Sequence, residues 1–173
     1  MIAEKLYIDE LVKSYEEISS QLLRLAEKMT EEEFTAIPFE GSWTAAQVCE
    51  HIIKSNKSIV NALKAEGKLV ARNADQRIPE LKSLFLDFTN KFQSPAPVVP
   101  TQLSYKKETF VYELKKTTED AKELSKAVNE FEAINVPGFG ELTKLELLYF
   151  IIFHTQRHIQ QLKKVVEKVV SKH

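Results

Sequence analysis

TKLELLYFIIFHTQRHIQQLKKVVEKVV, residues 143–170, is the stretch from which the fold can be read. It opens with Thr143-x-x-Glu146, the spacing of a capping box, in which a threonine hydroxyl and a glutamate three residues later satisfy free amides of a first helical turn. Leu147, Leu148, Ile151, Ile152, Ile159, Leu162, Val165 and Val166 then recur with the period of a helix and define one apolar arc, while Gln156, Lys163 and Glu167 take the far side. The unbroken apolar run from Leu147 to Phe153 is only seven residues long, whereas crossing a bilayer takes about 20. The segment therefore predicts a long helix with one buried face, in need of other helices to cover it.

Those partners lie upstream. A helix over about Ile8–Lys28 follows from Leu11, Ile18, Leu22 and Leu25 at intervals of three, four and seven. Thr30-x-x-Glu33 and Thr44-x-x-Gln47 repeat the capping box; the first predicts a short helical turn ending near Pro38, the second a helix to about Ala65. Each of the three starts is flanked by an apolar pair of the hydrophobic-staple type: Met29 with Phe34, Trp43 with Val48, Leu142 with Leu147. Trp43 reads as a structural residue on this ground. A further helix is predicted over Tyr105–Asn129. Glycine is scarce, at four residues, and neither alternating apolar patterns nor Asn-Gly turns announce strands, so the expected class is all-α. Between Gly67 and Ser104 runs a long connection containing Pro79 and the stretch Ser94-Pro95-Ala96-Pro97-Val98-Val99-Pro100, which cannot continue a helix. A connection of this length lets the second and third long helices run parallel, giving an up-down-down-up four-helix bundle with a crossover.

Composition narrows the function. At 173 residues and 43% hydrophobic, the chain has material for one core, and a single domain over 1–173 is expected. Its 24 basic and 25 acidic residues leave a net charge of -1, with no cationic excess to neutralise nucleic acid or an anionic membrane. One cysteine, Cys49, permits no internal disulfide, and the opening MIAEKLYIDE lacks the regions of a secretory signal, which together suggest a cytoplasmic protein.

Three of the four histidines fall inside expected helices, and His173 is terminal. His154 and His158, four apart, lie about 40° from one another on one helix face, one turn above the other. Both border the apolar arc and so turn toward the bundle, where an unpartnered imidazole would lose its hydrogen bonds to water. His51 sits in the second long helix beside Val48, Ile52, Ile59 and Leu63, and its stripe continues into Ser55, Ser58 and Ala62, small side chains that leave room beside a ligand. Three imidazoles suit zinc or nickel with an open coordination position. From the residues alone a second reading stands beside this: partly buried histidines bonded to carboxylates or carbonyls. Cys49, two residues before His51, points about 160° away around the helix and reads as core, not as a fourth ligand.

Gly41-Ser42-Trp43-Thr44, then His51, and His154-Thr155-Gln156-Arg157-His158-Ile159-Gln160-Gln161-Leu162 resemble the DinB/YfiT-like superfamily, as do the order and spacing of the helices over nearly the whole chain. The resemblance implies a triad of His51, His154 and His158 holding a divalent metal. It also implies a contact to metal ligands or substrate for Gln161, which the helical wheel places beside His154. Such proteins include metal-dependent hydrolases, transferases and isomerases that use small thiols, and stress-related proteins, many of them homodimers. A small-molecule substrate, a low-molecular-weight thiol among the candidates, and a homodimer are thus the implied partners. The alternative is a non-catalytic binding or interaction protein with a structural metal or none. Where metalloproteases of the H-E-x-x-H kind carry a glutamate base, this chain has Thr155, and the nearest acids on that helix, Glu146 and Glu167, lie two or more turns from the histidines. No residue is singled out as a general base, and a metal-activated thiol fits slightly better than metal-activated water.

Overall fold

The computed structural model describes residues 2–101 and 105–170; His173 and the last three residues of the expected connection, 102–104, lie outside the described residues. The helices, in chain order, are α1 Ile2–Glu27, α2 Glu31–Thr35, α3 Ala45–Lys64, α4 Ile78–Leu86, α5 Lys107–Ser125 and α6 Lys144–Val170. Those expected from sequence are all present. α1 begins six residues earlier than expected, and α5 stops at Ser125 instead of Asn129, whose side chain accepts from the Phe131 amide and turns the chain back. All three capping boxes form with both reciprocal bonds.

α1, α3, α5 and α6 make the four-helix bundle. Their directions follow from side-chain pairings. Along α1 and α5 the numbers run oppositely: Lys107 meets the Met29 carbonyl, Thr118 meets Ser19 and Lys122 meets Glu16. Along α3 and the chain entering α5 they rise together, since Glu50 and Lys54 bind Thr101 while Lys57 pairs with Glu113. α3 and α5 are therefore parallel, as the crossover requires. Leu22, Ile52, Leu114, Leu147 and Leu162 are among the fully buried residues of the shared core. No helix among the described residues is long and apolar enough to cross a membrane.

The all-helical expectation needs one amendment. A small antiparallel sheet, order β1-β2-β3, joins Lys68–Leu69, Glu132–Val136 and Gly140–Thr143. Strands of two, five and four residues are too short to display the alternation that identifies a strand. The turn signal was present, however: Pro137 and Gly138 occupy the middle of a turn closed by Phe139 N–H to Val136 O at 3.0 Å. Gly138 has φ 84°, the left-handed value that the third position of a type II turn demands. α4 was also missed. Pro79 would break a helix interior, yet it sits in the first turn of α4, where a missing N–H costs nothing.

The crossover is held down at Glu146, the residue that completes the capping box of α6. Its carboxylate is fully buried and accepts from Thr143 N and Arg77 N, both at 2.8 Å, and from both terminal nitrogens of Arg72 at 2.7 Å. Burial pushes this carboxyl up, but the Arg72 bonds and the two amides outweigh it and hold the group below its ordinary range. Arg72→Met would leave a buried carboxylate short of its counter-charge. The expected loss is about 3 kcal/mol of folding stability, read from the urea midpoint at pH 7; an unchanged midpoint would show that the pair contributes nothing.

Candidate metal centre

α3 and α6 bring His51, His154 and His158 together. The three Nε2 atoms form a nearly equilateral triangle, with His51–His154 at 3.1 Å, His51–His158 at 3.0 Å and His154–His158 at 3.1 Å. All three residues are buried. Among the described residues this is the group of three donors able to hold a metal ion, and Cys49, buried in the core, is not in it.

The tautomers can be assigned from the outer nitrogens. His51 Nδ1 lies 2.7 Å from the Val98 carbonyl, which can only accept, so Nδ1 carries the proton and Nε2 presents a lone pair. His158 Nδ1 lies 2.7 Å from Gln161 Oε1 and donates to it in the same way. Two lone pairs thus face one another at 3.0 Å. No third tautomer repairs this, because a triangle of nitrogens, each either donor or acceptor, always leaves at least one like-to-like contact. Protonation does not repair it either: burial, then the neighbouring imidazoles, push His154 well below the ordinary histidine range and His158 down to about 3, and burial likewise lowers His51. A cation accepting all three lone pairs removes the conflict. The triangle's sides fit it, since ligands bound at about 2.0–2.1 Å in a tetrahedral shell stand about 3.3 Å apart.

Each ring is oriented differently. Val98 belongs to a 3-10 turn, Ala96–Val98, inside the proline-rich end of the crossover. That strap is fastened to α3 by His51 to Val98 O, Lys54 to Val99 O at 2.9 Å and Thr101 N to Glu50 at 3.1 Å. His154 Nδ1 is buried and has no hydrogen-bond partner among the described residues. Its ring is set instead by packing, with the Phe85 and Phe150 rings at centroid distances of 5.5 and 5.8 Å. The Trp43 ring lies 5.3 Å from that of His51. Gly41, φ 75°, forms the turn closed by Ser42 N–H to Phe39 O that precedes Trp43.

The histidines open on a cavity of about 1090 Å³ between α3, α6 and the crossover. Ser55 and Ser58 line it, as their small size suggested. Gln161 lines it too, but it bonds His158, not His154: seven residues from His154 is two full turns, about 10 Å along the axis. Sequence reasoning missed four contributors. Trp43, expected only as a structural residue, packs on the core and also faces the site; Val98, Phe85 and Phe139 come from segments where no helix is expected. Only Trp43 carried a signal, its place in the Gly41-Ser42-Trp43-Thr44 motif.

A buried three-imidazole group set between the second and last long helices defines a four-helix bundle whose site permits a divalent metal. The chain belongs to the DinB superfamily, whose sequence model matches residues 14–162. It is similar in fold to a solved protein described as "TT2238, a four-helix bundle protein", with 21% identity and a TM-score of 0.59 over 90% of this chain and 98% of that one. Comparison with curated proteins gave no match.

The lowered histidine pKa values carry a pH signature. The unfolded chain binds protons at these groups from about pH 6.5 downward, and the folded chain resists, so stability of metal-free protein falls as pH drops from 6.5 toward the value of about 3 for His158. His158→Gln should flatten that slope by up to about 1.4 kcal/mol per pH unit. Urea unfolding in chelator at pH 7.5, 6 and 5 reads it; parallel curves for the two proteins would contradict the assignment.

Proposed function

We propose that the protein is an enzyme in which His51, His154 and His158 hold one divalent ion, zinc or nickel, for chemistry on the sulfur of a small thiol. The observation that carries this reading is the facing pair of lone pairs on His51 and His158, which no protonation pattern of the triad relieves. A bound ion would supply Lewis acidity, lowering the pKa of a thiol or water in contact with it.

The protein's own part is to hold and shield. The Val98 carbonyl and Gln161 keep two imidazoles neutral and aimed. Trp43, Phe85 and Phe150 pack on the rings and exclude water from their backs. The cavity gives a substrate room on the remaining side. Among the described residues no aspartate or glutamate lines that cavity. Metal-bound water could shed its proton to solvent as a thiol does, but no carboxylate lines the cavity to carry a proton to the leaving group of a hydrolysed bond. A thiol that reacts as its thiolate releases its proton to solvent beforehand; the sulfur then bonds to the acceptor carbon as the leaving group departs with its electron pair. With a leaving group that departs as a stable anion, transfer to or from a thiol needs no such proton carrier, and on that ground it is favoured over hydrolysis.

Elemental analysis after loading with Zn or Ni should find about one ion per chain, reduced in His51→Ala, His154→Ala and His158→Ala. With a small thiol and an alkylating acceptor, turnover should follow one ionisation in its pH profile and vanish on chelation. Variants that keep wild-type metal would overturn the triad. Metal uptake without turnover would leave a binding protein, and turnover that survives chelation would overturn the mechanism.

A further inference from the structure

The cavity beside the histidines is asymmetric in charge. The chain has 25 acidic residues, and none of those described lines the cavity, while Lys91, Arg157 and Lys164 do. Arg157 is already engaged: its guanidinium donates to the carbonyls of Phe85 at 3.2 Å, Asp87 at 3.1 Å and Asn90, and lies 4.6 Å from the Phe92 ring. It thereby fixes the segment that carries Lys91. Lys164 follows Arg157 by seven residues, on the same stripe of α6, with Gln160 and Gln161 between. Both lysines are exposed at the rim, and neither forms an ion pair with a described residue.

Another part of the lining is apolar. Phe85, Phe139 and Phe150 pack on one another at centroid distances of 4.7 to 5.8 Å, and two of the three touch His154. A ligand filling the cavity would meet aromatic faces beside His154 and the exposed ammonium groups of Lys91 and Lys164, which no described residue pairs.

From this arrangement we infer that the site's substrate is an amphipathic organic acid, its apolar body against Phe85, Phe139 and Phe150 and its carboxylate paired with Lys91 and Lys164. The inference rests on the functional reading above only in using the same cavity. Exposed lysines contribute modestly, so the discrimination expected against a neutral isostere is about five- to tenfold, and it weakens with salt.

The probes are 3-phenylpropionate and its amide, 3-phenylpropionamide, which share a ring and differ in charge. Trp43, the single tryptophan, lines the cavity and reports binding by its fluorescence. Metal-free and zinc-loaded protein are both titrated. Metal-free protein should prefer the acid about five- to tenfold at low salt, and Lys91→Glu/Lys164→Glu should abolish the preference while amide affinity stays. Equal affinities, or no saturable binding of either probe, overturn the inference. So does a preference that survives in the double variant, since the carboxylate then sits elsewhere. Because the preference is read without metal, a chain that discriminates but takes up no ion defeats the metal reading and leaves this one standing; a chain that binds metal without discriminating does the reverse.

Discussion

The buried carboxylate of Glu146 is the constraint on which the arrangement of the site depends. As the third residue after Thr143 it caps α6 from within, and as the partner of Arg72 and of the Arg77 amide it fixes the start of the crossover against that same helix. One ionised group thus sets both where α6 begins and where the chain that must travel to α5 leaves the sheet. The geometry two turns further along α6 follows. Phe85, on α4 just beyond this anchor, packs on His154, and Arg157 reaches back to the carbonyls that end α4. Moving α4 relative to α6 would disturb the packing that alone orients His154.

The other end of the crossover orients His51. Proline is well suited to this role: Pro95, Pro97 and Pro100 restrict the backbone, the amides of Val98 and Val99 are used within the strap on the carbonyls of Pro95 and Ala96, and the carbonyls of Val98 and Val99 accept from His51 and Lys54 of α3. Lys54 and Glu50 on α3 bind the same strap on either side of His51. A carbonyl accepting from Nδ1 dictates the tautomer, which in turn directs the Nε2 lone pair into the triad. What looks in sequence like a disruption between helices therefore decides the chemical state of a residue some 47 positions earlier.

The parts of this structure that sequence made legible are those governed by local rules. Helical period and capping boxes marked α1, α3 and α6, and the four-residue interval of His154 and His158 put them on one face. A histidine on another helix, followed by small residues, pointed to the third corner. The unread parts depend on distant contacts. β1 is two residues long and exists because it pairs with β2, which begins 63 residues later; no window around Lys68 contains that information. α4 has no side-chain cap at Arg77, whose guanidinium bonds Glu80 and the hairpin carbonyls of Phe139 and Glu141. Gln161 shows the limit of a wheel, which preserves angle and discards height: it shares a face with His154 but reaches only His158.

Charge explains why such a site needs so much neutral scaffolding. Three imidazoles are neutral donors, so a divalent ion held by them keeps its full charge, in contrast to sites where carboxylates cancel part of it. A carboxylate in the cavity would both compete for the ion and blunt its acidity, and none of the described ones is there. Burial further disfavours protonation of the ligands, since an imidazolium in this position would lose solvation and face two neighbours. The same environment that keeps protons off the nitrogens keeps counter-charges away from whatever they bind. Electrostatic demand is thereby left for the substrate to meet, and an anionic sulfur at the centre and a carboxylate at the cationic lining, as proposed above, would both meet it.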